Sequence, residues 1–231
     1  MYIDAYAIGK LIKEGLINLF VVVLISALIP GALPISVLSF WTFSNDVPAL
    51  AAATMPVLIW GAVATFVLTT PSRFETASSI LAKGICISLL AGVLEELTYR
   101  WLRFLCATIG MQVINFIFFG FAGFGILEWF YLTIMGPLVN FFSFHGLEDE
   151  LLGGEWIVGA AIVMANSQFR DAHKYLGWIG YVNSWFLGLF LFWVTFNHGL
   201  PAAILIHVLY DLCVFSALAL KTAVLRKHIL R

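Results

Sequence analysis

Charge is scarce in these 231 residues. The chain has 12 Lys and Arg and 13 Asp and Glu, together 11%, where soluble domains carry about 25%. No cluster of Lys and Arg interleaves with aromatics, so the sequence has no electrostatic footprint for nucleic acid. The net charge of −1 says nothing of orientation, which follows where Lys and Arg stand rather than their sum. Cysteine is equally sparse. Cys86, Cys106 and Cys213 lie singly in apolar stretches, without a CxxC or any ligand-like spacing. An odd, scattered count argues against both a disulfide framework and a zinc site, and such residues read as small apolar fillers. Repeats, low-complexity tracts and a second domain are also missing, so the chain reads as one integral membrane domain over 1–231.

What fills the sequence is apolar. Hydrophobic residues make up 62% of it and the mean hydropathy is +1.00, an excess beyond what one buried core needs. A hydrocarbon layer about 30 Å thick takes around 20 apolar residues as a helix. Candidate spans run over approximately 16–41, 47–69, 79–107, 111–143, 156–170, 176–196 and 199–220. Alternating ten-residue segments are absent, so the fold class expected is all-α, a polytopic helical bundle rather than a barrel. Lys10 and Lys13 precede the first apolar run, which reads as a span rather than a cleaved leader because further spans follow. That run holds Pro30 and Pro34 and is expected to kink or end early. The fourth, 111–143, exceeds one untilted crossing and contains GFAGFG at 120–125, so it reads as one tilted helix or two short ones. The count is seven or eight. Lys10 and Lys13 near one end, and Lys221, Arg226, Lys227 and Arg231 near the other, put both ends on the cytoplasmic side. An even count of eight follows. HGLEDELLGGE (145–155), acidic and without Lys or Arg, suits the opposite face. Arg73 and Glu75 mark a short polar connection at 70–78.

Against this background a few polar residues need a reason, since a charge at a helix centre costs about 2.5–3.5 kcal/mol on insertion scales. EELTYR (95–100) puts Glu96 and Arg100 at i and i+4, able to pair. Glu95, rotated about 100° from Glu96, is left free, and an unpaired carboxylate in apolar surroundings suits a general base. The bland alternative is a structural ion pair near the membrane edge, which Arg103 favours. FRDAH (169–173) sets Phe169 and His173 on one face, with Arg170 and Asp171 between; here the alternative is an interfacial histidine. HVLYD (207–211) again places His207 and Asp211 at i and i+4, as a structural pair or part of a site. His198, before GLP, reads as a turn residue. Glu128 either lines a cavity or caps a helix break after GFAGFG. GFAGFG itself has no flanking strand for a dinucleotide site and reads as small residues at helix contacts.

EExxxR, FxxxH and HxxxN/D, in that order on separate membrane helices, resemble the CPBP family: the CAAX proteases and bacteriocin-processing enzymes, also called ABI or type II CAAX prenyl endopeptidases. GLPAAILIHVLYDL (199–212) is similar to that family's last helix, and the likeness covers about 79–215, the motif-bearing core. The resemblance implies a bundle with a conical, water-accessible cavity and hydrolysis of a peptide bond in a membrane-associated or prenylated (CAAX-type) substrate. Glu95 and His173 would deprotonate the water, and His207 and the residue at 211 would stabilise the oxyanion. Glu96, Arg100 and Phe169 would be structural or orienting. No cofactor is required in this reading. In an alternative, Glu95, His173 and His207 hold zinc with one position open, although HExxH is absent. The family's studied CAAX proteases carry Asn where this chain has Asp211. An ionised Asp only accepts hydrogen bonds, so it is expected to orient His207 and leave that imidazole as the donor. Partners implied are membrane lipid and a peptide or lipidated-protein substrate. A different class, a non-catalytic membrane scaffold or bacteriocin self-immunity protein of the same family, would use the polar pocket only for binding.

Overall fold

A computed structural model describes residues 5–29, 31–44, 46–72 and 74–229. Pro30, Arg73, Arg231 and the side chain of Lys227 lie outside the described residues. Everything regular among the described residues is helical, with no strand. The α-helices are α1 (Ala5–Leu28), α2 (Val47–Leu68), α3 (Ala77–Glu95), α4 (Phe104–Ile117), α5 (Ile126–Phe130), α6 (Gly136–Phe142), α7 (Trp156–Ala172), α8 (Gly177–His198) and α9 (Leu200–Ile229). Three wider π-helical stretches join or flank them: Glu96–Arg103, Tyr131–Met135 and Asp149–Gly153.

Five helical stretches among the described residues are long and apolar enough to cross a membrane: Ile8–Leu28, Val47–Leu68, Ala77–Ile117, Lys174–His198 and Leu200–Arg226. Their outward faces carry bare Leu, Ile, Phe and Trp, such as Phe20, Trp60 and Ile85. A soluble protein would not expose so continuous an apolar surface. The chain is therefore a multi-pass membrane protein.

Local chemistry explains the helix boundaries and corrects several expected ones. Asp46 caps α2 by accepting from the Ala49 amide at 3.1 Å, and Thr76 caps α3 by accepting from Ser79 at 3.1 Å. The first span ends at Leu28, not near residue 41, and residues 31–44 are not helical. That segment folds back into the bundle, where its backbone finds partners. The Phe40 carbonyl accepts from the Leu200 amide at 2.8 Å, the Ser44 amide donates to His198 at 3.1 Å, and the Trp101 indole donates to the Val37 carbonyl at 2.7 Å. Irregular backbone at membrane depth is tolerated when protein satisfies it in this way. Gly199 makes the close approach possible. Its φ is +90°, and a Cβ there would overlap the Thr42 carbonyl.

Spans expected as separate at 79–107 and 111–143 are not separate. Ala77–Ile117 is one continuous helical run of 41 residues, about 60 Å at 1.5 Å per residue. Thr108, in the expected gap, turns its hydroxyl onto the Leu105 carbonyl at 2.7 Å and leaves the helix intact. The break comes at GFAGFG instead, where Phe119, Gly123 and Gly125 all have positive φ. A Cβ on Gly123 would meet nothing within 4 Å. Gly123 and Gly125 serve backbone conformation, whereas Gly120 packs against the Asn115 side chain, and the second half of 111–143 is the short apolar stretch Ile126–Phe142. Glu128 is exposed in the first turn of α5, whose N-cap makes no side-chain hydrogen bond.

α9 packs on α2, α3 and α8, while α7 packs on α4 and α8. Glycines on α2 and α3 receive α9 side chains: Gly61 faces Tyr210, Gly84 faces Phe215 and Gly92 faces Val208. Small residues let membrane helices close to van der Waals contact. The main core gathers Phe40, Phe104, Leu105, Ile162, Leu189 and Phe192. Phe40 meets Phe104 and Phe196 edge-on at centroid distances of 5.7 and 5.3 Å.

Candidate active site

Glu95 is the last residue of α3 and Glu96 opens the π-helical stretch. The hydrogen-bond step there widens to i→i+5, a geometry often found at functional sites. The stretch changes what the two carboxylates can reach. Glu96 and Arg100 pair as the spacing suggested, with Arg100 Nε 3.3 Å from Glu96 Oε2 and both side chains 0% exposed. The contact is ionic but poorly aligned for a hydrogen bond, and the guanidinium nitrogens have no hydrogen-bond acceptor. Aromatic faces surround the cation instead. Its central carbon lies 3.9 Å from the Phe169 ring centroid and 5.6 Å from that of Phe192.

Glu96 does more than hold Arg100. Its Oε1 is 2.7 Å from His207 Nδ1, so the imidazole is oriented by Glu96. The expectation that Asp211 would orient His207 is thereby corrected. Asp211 sits one turn further along α9, largely buried and within electrostatic range of His207, Glu95 and Glu96. Fixing Nδ1 turns His207 Nε2 toward the other carboxylate, 4.0 Å from Glu95 Oε2.

His173 reaches the same oxygen from α7. It is the residue that ends that helix, and its Nδ1 lies 2.8 Å from the Phe169 carbonyl oxygen. A carbonyl only accepts, so Nδ1 carries a proton and donates it to Phe169, which turns Nε2 toward Glu95. Nε2 is 3.6 Å from Glu95 Oε2. Phe169 thus orients His173 through its backbone and covers Arg100 with its ring. That ring is 4.5 Å from the His173 ring and 6.1 Å from the His207 ring.

The structure brings together Glu95, Glu96, Arg100, Phe169, His173, His207 and Asp211. They come from α3 with its π-helical continuation, from α7 and from α9. Glu95 and His173 keep 13% and 12% of their side chains exposed, against 3% for His207. Glu95 and His173 are therefore more accessible than His207, although the Glu95 oxygen that faces the imidazoles, Oε2, is buried. Charged residues mark this end. Asp171 accepts from Arg170, Lys174 and Tyr181 at 2.8 to 3.1 Å. Its partial burial pushes the carboxyl up, but those three donors outweigh it and hold the group below the ordinary Asp range. Arg103 binds Glu14 on α1 and Gln168 on α7, tying both helices to the π-helical stretch.

Two aromatics escape the motif reading. Tyr99 packs edge-on against Phe169 at 5.4 Å. Tyr175 lies nearly parallel to His173, with ring centroids 6.1 Å apart. The HKY sequence at 173–175 was the available signal, hidden in a chain that is 16% aromatic. His198 ends α8 at the buried Gly199 turn, as its sequence context suggested, with its ring against Trp193. Among the described residues, no group of three His, Cys, Asp or Glu side chains is disposed to hold a metal ion.

Compared with models of protein families, with curated proteins and with solved structures, the chain matches none.

Proposed function

We propose that this protein is an intramembrane endopeptidase of the CPBP type. It hydrolyses a peptide bond in a membrane-associated or prenylated substrate with water activated by Glu95 and His173. The observation that carries the reading is that Glu95 Oε2 lies 3.6 Å from His173 Nε2 and 4.0 Å from His207 Nε2, across three separate helices. Placing two imidazoles and a carboxylate together inside an apolar bundle is costly, and general acid–base chemistry gives that cost a purpose.

In this mechanism a water between Glu95 and His173 attacks the carbonyl carbon and its proton passes to the Glu95 carboxylate. The C=O electron pair moves to oxygen, and His207, doubly protonated, donates to that oxyanion from Nε2. When the C–N bond breaks, the proton held at Glu95 goes to the leaving amine. The products are a carboxylic acid and an amine, with one water consumed. Glu96 fixes the His207 ring, Arg100 neutralises Glu96, and Phe169 fixes His173. The chemistry needs no metal.

The reading extends to topology. Ile126–Phe142 and the 156–170 part of α7, shorter than the five long helices, bring the crossings to seven. The 41-residue helix, longer than one untilted passage, allows eight. Lys10 and Lys13 at one end and Lys221 and Arg226 at the other put both on the cytoplasmic side.

The test is cleavage, by purified protein in detergent, of a farnesylated CAAX peptide beside its unmodified counterpart. We expect wild type to cleave at least one, and Glu95→Ala and His173→Ala to lose turnover while remaining folded. Normal turnover by either variant, or no cleavage by wild type, would overturn the proposal.

A further inference from the structure

Tyr175 belongs to the 3₁₀ turn Lys174–Leu176 between α7 and α8. Gly177 ends that turn with φ +74°, a left-handed conformation that releases the chain into α8 directly beside the site. The tyrosine is 58% exposed, yet its ring is not turned away. It lies over His173, nearly parallel at 25°. The charges its phenol feels are those of Glu95 and Asp211, with the Tyr99 hydroxyl also in range. Tyr175 therefore stands at the more exposed side of the cluster, next to its two partly exposed side chains, Glu95 and His173.

The pocket is poor in neutral donors. Glu95, Glu96 and Asp211 are carboxylates and accept only. His173 has committed its Nδ1 proton to Phe169, and His207 has committed its own to Glu96. Hydrolysis develops negative charge on the carbonyl oxygen, and more than one donor usually meets it. Position 211, one turn from His207, cannot supply the second donor as a carboxylate. A phenol can, and it stays protonated throughout the neutral range.

We propose that the Tyr175 hydroxyl is a catalytic donor of this site, hydrogen-bonding the oxyanion from the mouth while His207 does so from the buried side. The inference rests on the hydrolytic reading above. It differs from a packing role, in which the ring alone steadies His173.

Tyr175→Phe separates the two, because it keeps the ring and removes only the O–H. It is assayed with wild type and Glu95→Gln on whichever peptide, farnesylated or unmodified, the wild type cleaves. We expect Tyr175→Phe to lower kcat about 10²–10³-fold, the cost of one oxyanion donor, with KM changed less than about twofold. Its thermal melting in detergent should match wild type. Tyr175→Leu, which also removes the ring, should lose at least as much kcat. A kcat for Tyr175→Phe within about threefold of wild type, with Glu95→Gln inactive, would overturn the phenol's role and leave the hydrolytic reading standing. Full activity of Glu95→Gln, or no cleavage by wild type, would overturn both.

Discussion

Replacing Glu96 with leucine isolates the physics of this site without reference to any substrate. Glu96 and Arg100 are both wholly buried, so no solvent screens what is lost. Removing the carboxylate leaves a buried guanidinium with the Phe169 and Phe192 faces against it and the Glu95 carboxylate as its remaining acidic neighbour. Orphaning one partner of a buried pair costs about 3–5 kcal/mol. The same substitution strips the acceptor from His207 Nδ1, 2.7 Å away, and an unpaired buried donor costs about 1–3 kcal/mol more. The two costs separate in a double variant. Arg100→Met removes the stranded charge and fills its volume, which eliminates the first cost and leaves the second.

Glu96→Leu should therefore be the least stable of the set. Glu96→Leu with Arg100→Met should recover about 3–5 kcal/mol and retain a deficit of about 1–3 kcal/mol from His207. The assay is unfolding in mixed micelles of increasing SDS fraction, followed by far-UV circular dichroism. Cleavage should not recover with stability, because His207 stays unoriented in the double variant. A double variant no more stable than Glu96→Leu would refute the argument, since the penalty would then not lie in the stranded Arg100.

Gly92→Ala should loosen the site from a distance. A Cβ there would stand 2.5 Å from Val208 Cγ2 and 3.1 Å from the Val208 amide, pushing α9 and His207 off α3. We expect lowered melting and activity, partly restored by adding Val208→Ala; no change in Gly92→Ala would show that the helices have slack there. At the mouth, the depressed Asp171 carboxyl contributes stability that is complete above the unfolded Asp value, about 3.9, and is lost as pH falls through its lower folded value. Asp171→Asn should melt lower than wild type near neutrality, with the gap closing in acid below about pH 4. A gap that stayed constant with pH would mean that the Arg170, Lys174 and Tyr181 bonds do not depend on its charge.

How much of this was legible in the residues depends on what each signal measures. Hydropathy found the apolar stretches because burial in lipid is a bulk property. It misplaced their ends wherever a single backbone angle decided the matter. Residues 31–41 are as apolar as a span, yet they form a non-helical segment anchored by the buried Phe40, because Gly199 lets their carbonyls dock on the α8–α9 turn. The i, i+4 rule found the Glu96–Arg100 pair, a local contact within one turn. It could not find that Glu96 also holds His207, 111 residues away in the chain. Within α9 the same rule nominated Asp211 for that bond, because spacing along one helix says nothing of what a second helix presents.

The adjacency of Glu95 and Glu96 shows how local geometry becomes chemistry. Neighbouring residues on a regular helix point about 100° apart, which suggests carboxylates serving different partners. Here they address opposite nitrogens of one imidazole, Glu96 at Nδ1 and Glu95 at Nε2. That needs His207 to sit in the angle between them, and two features put it there. The helix widens into a π-helical stretch from Glu96, and Gly92, one turn before, admits Val208 to the α3 surface. Arg100 then takes the remaining oxygen of Glu96. One carboxylate is thereby spent on orientation and the other stays directed at His173. The asymmetry between two chemically identical side chains comes from which helix each one meets.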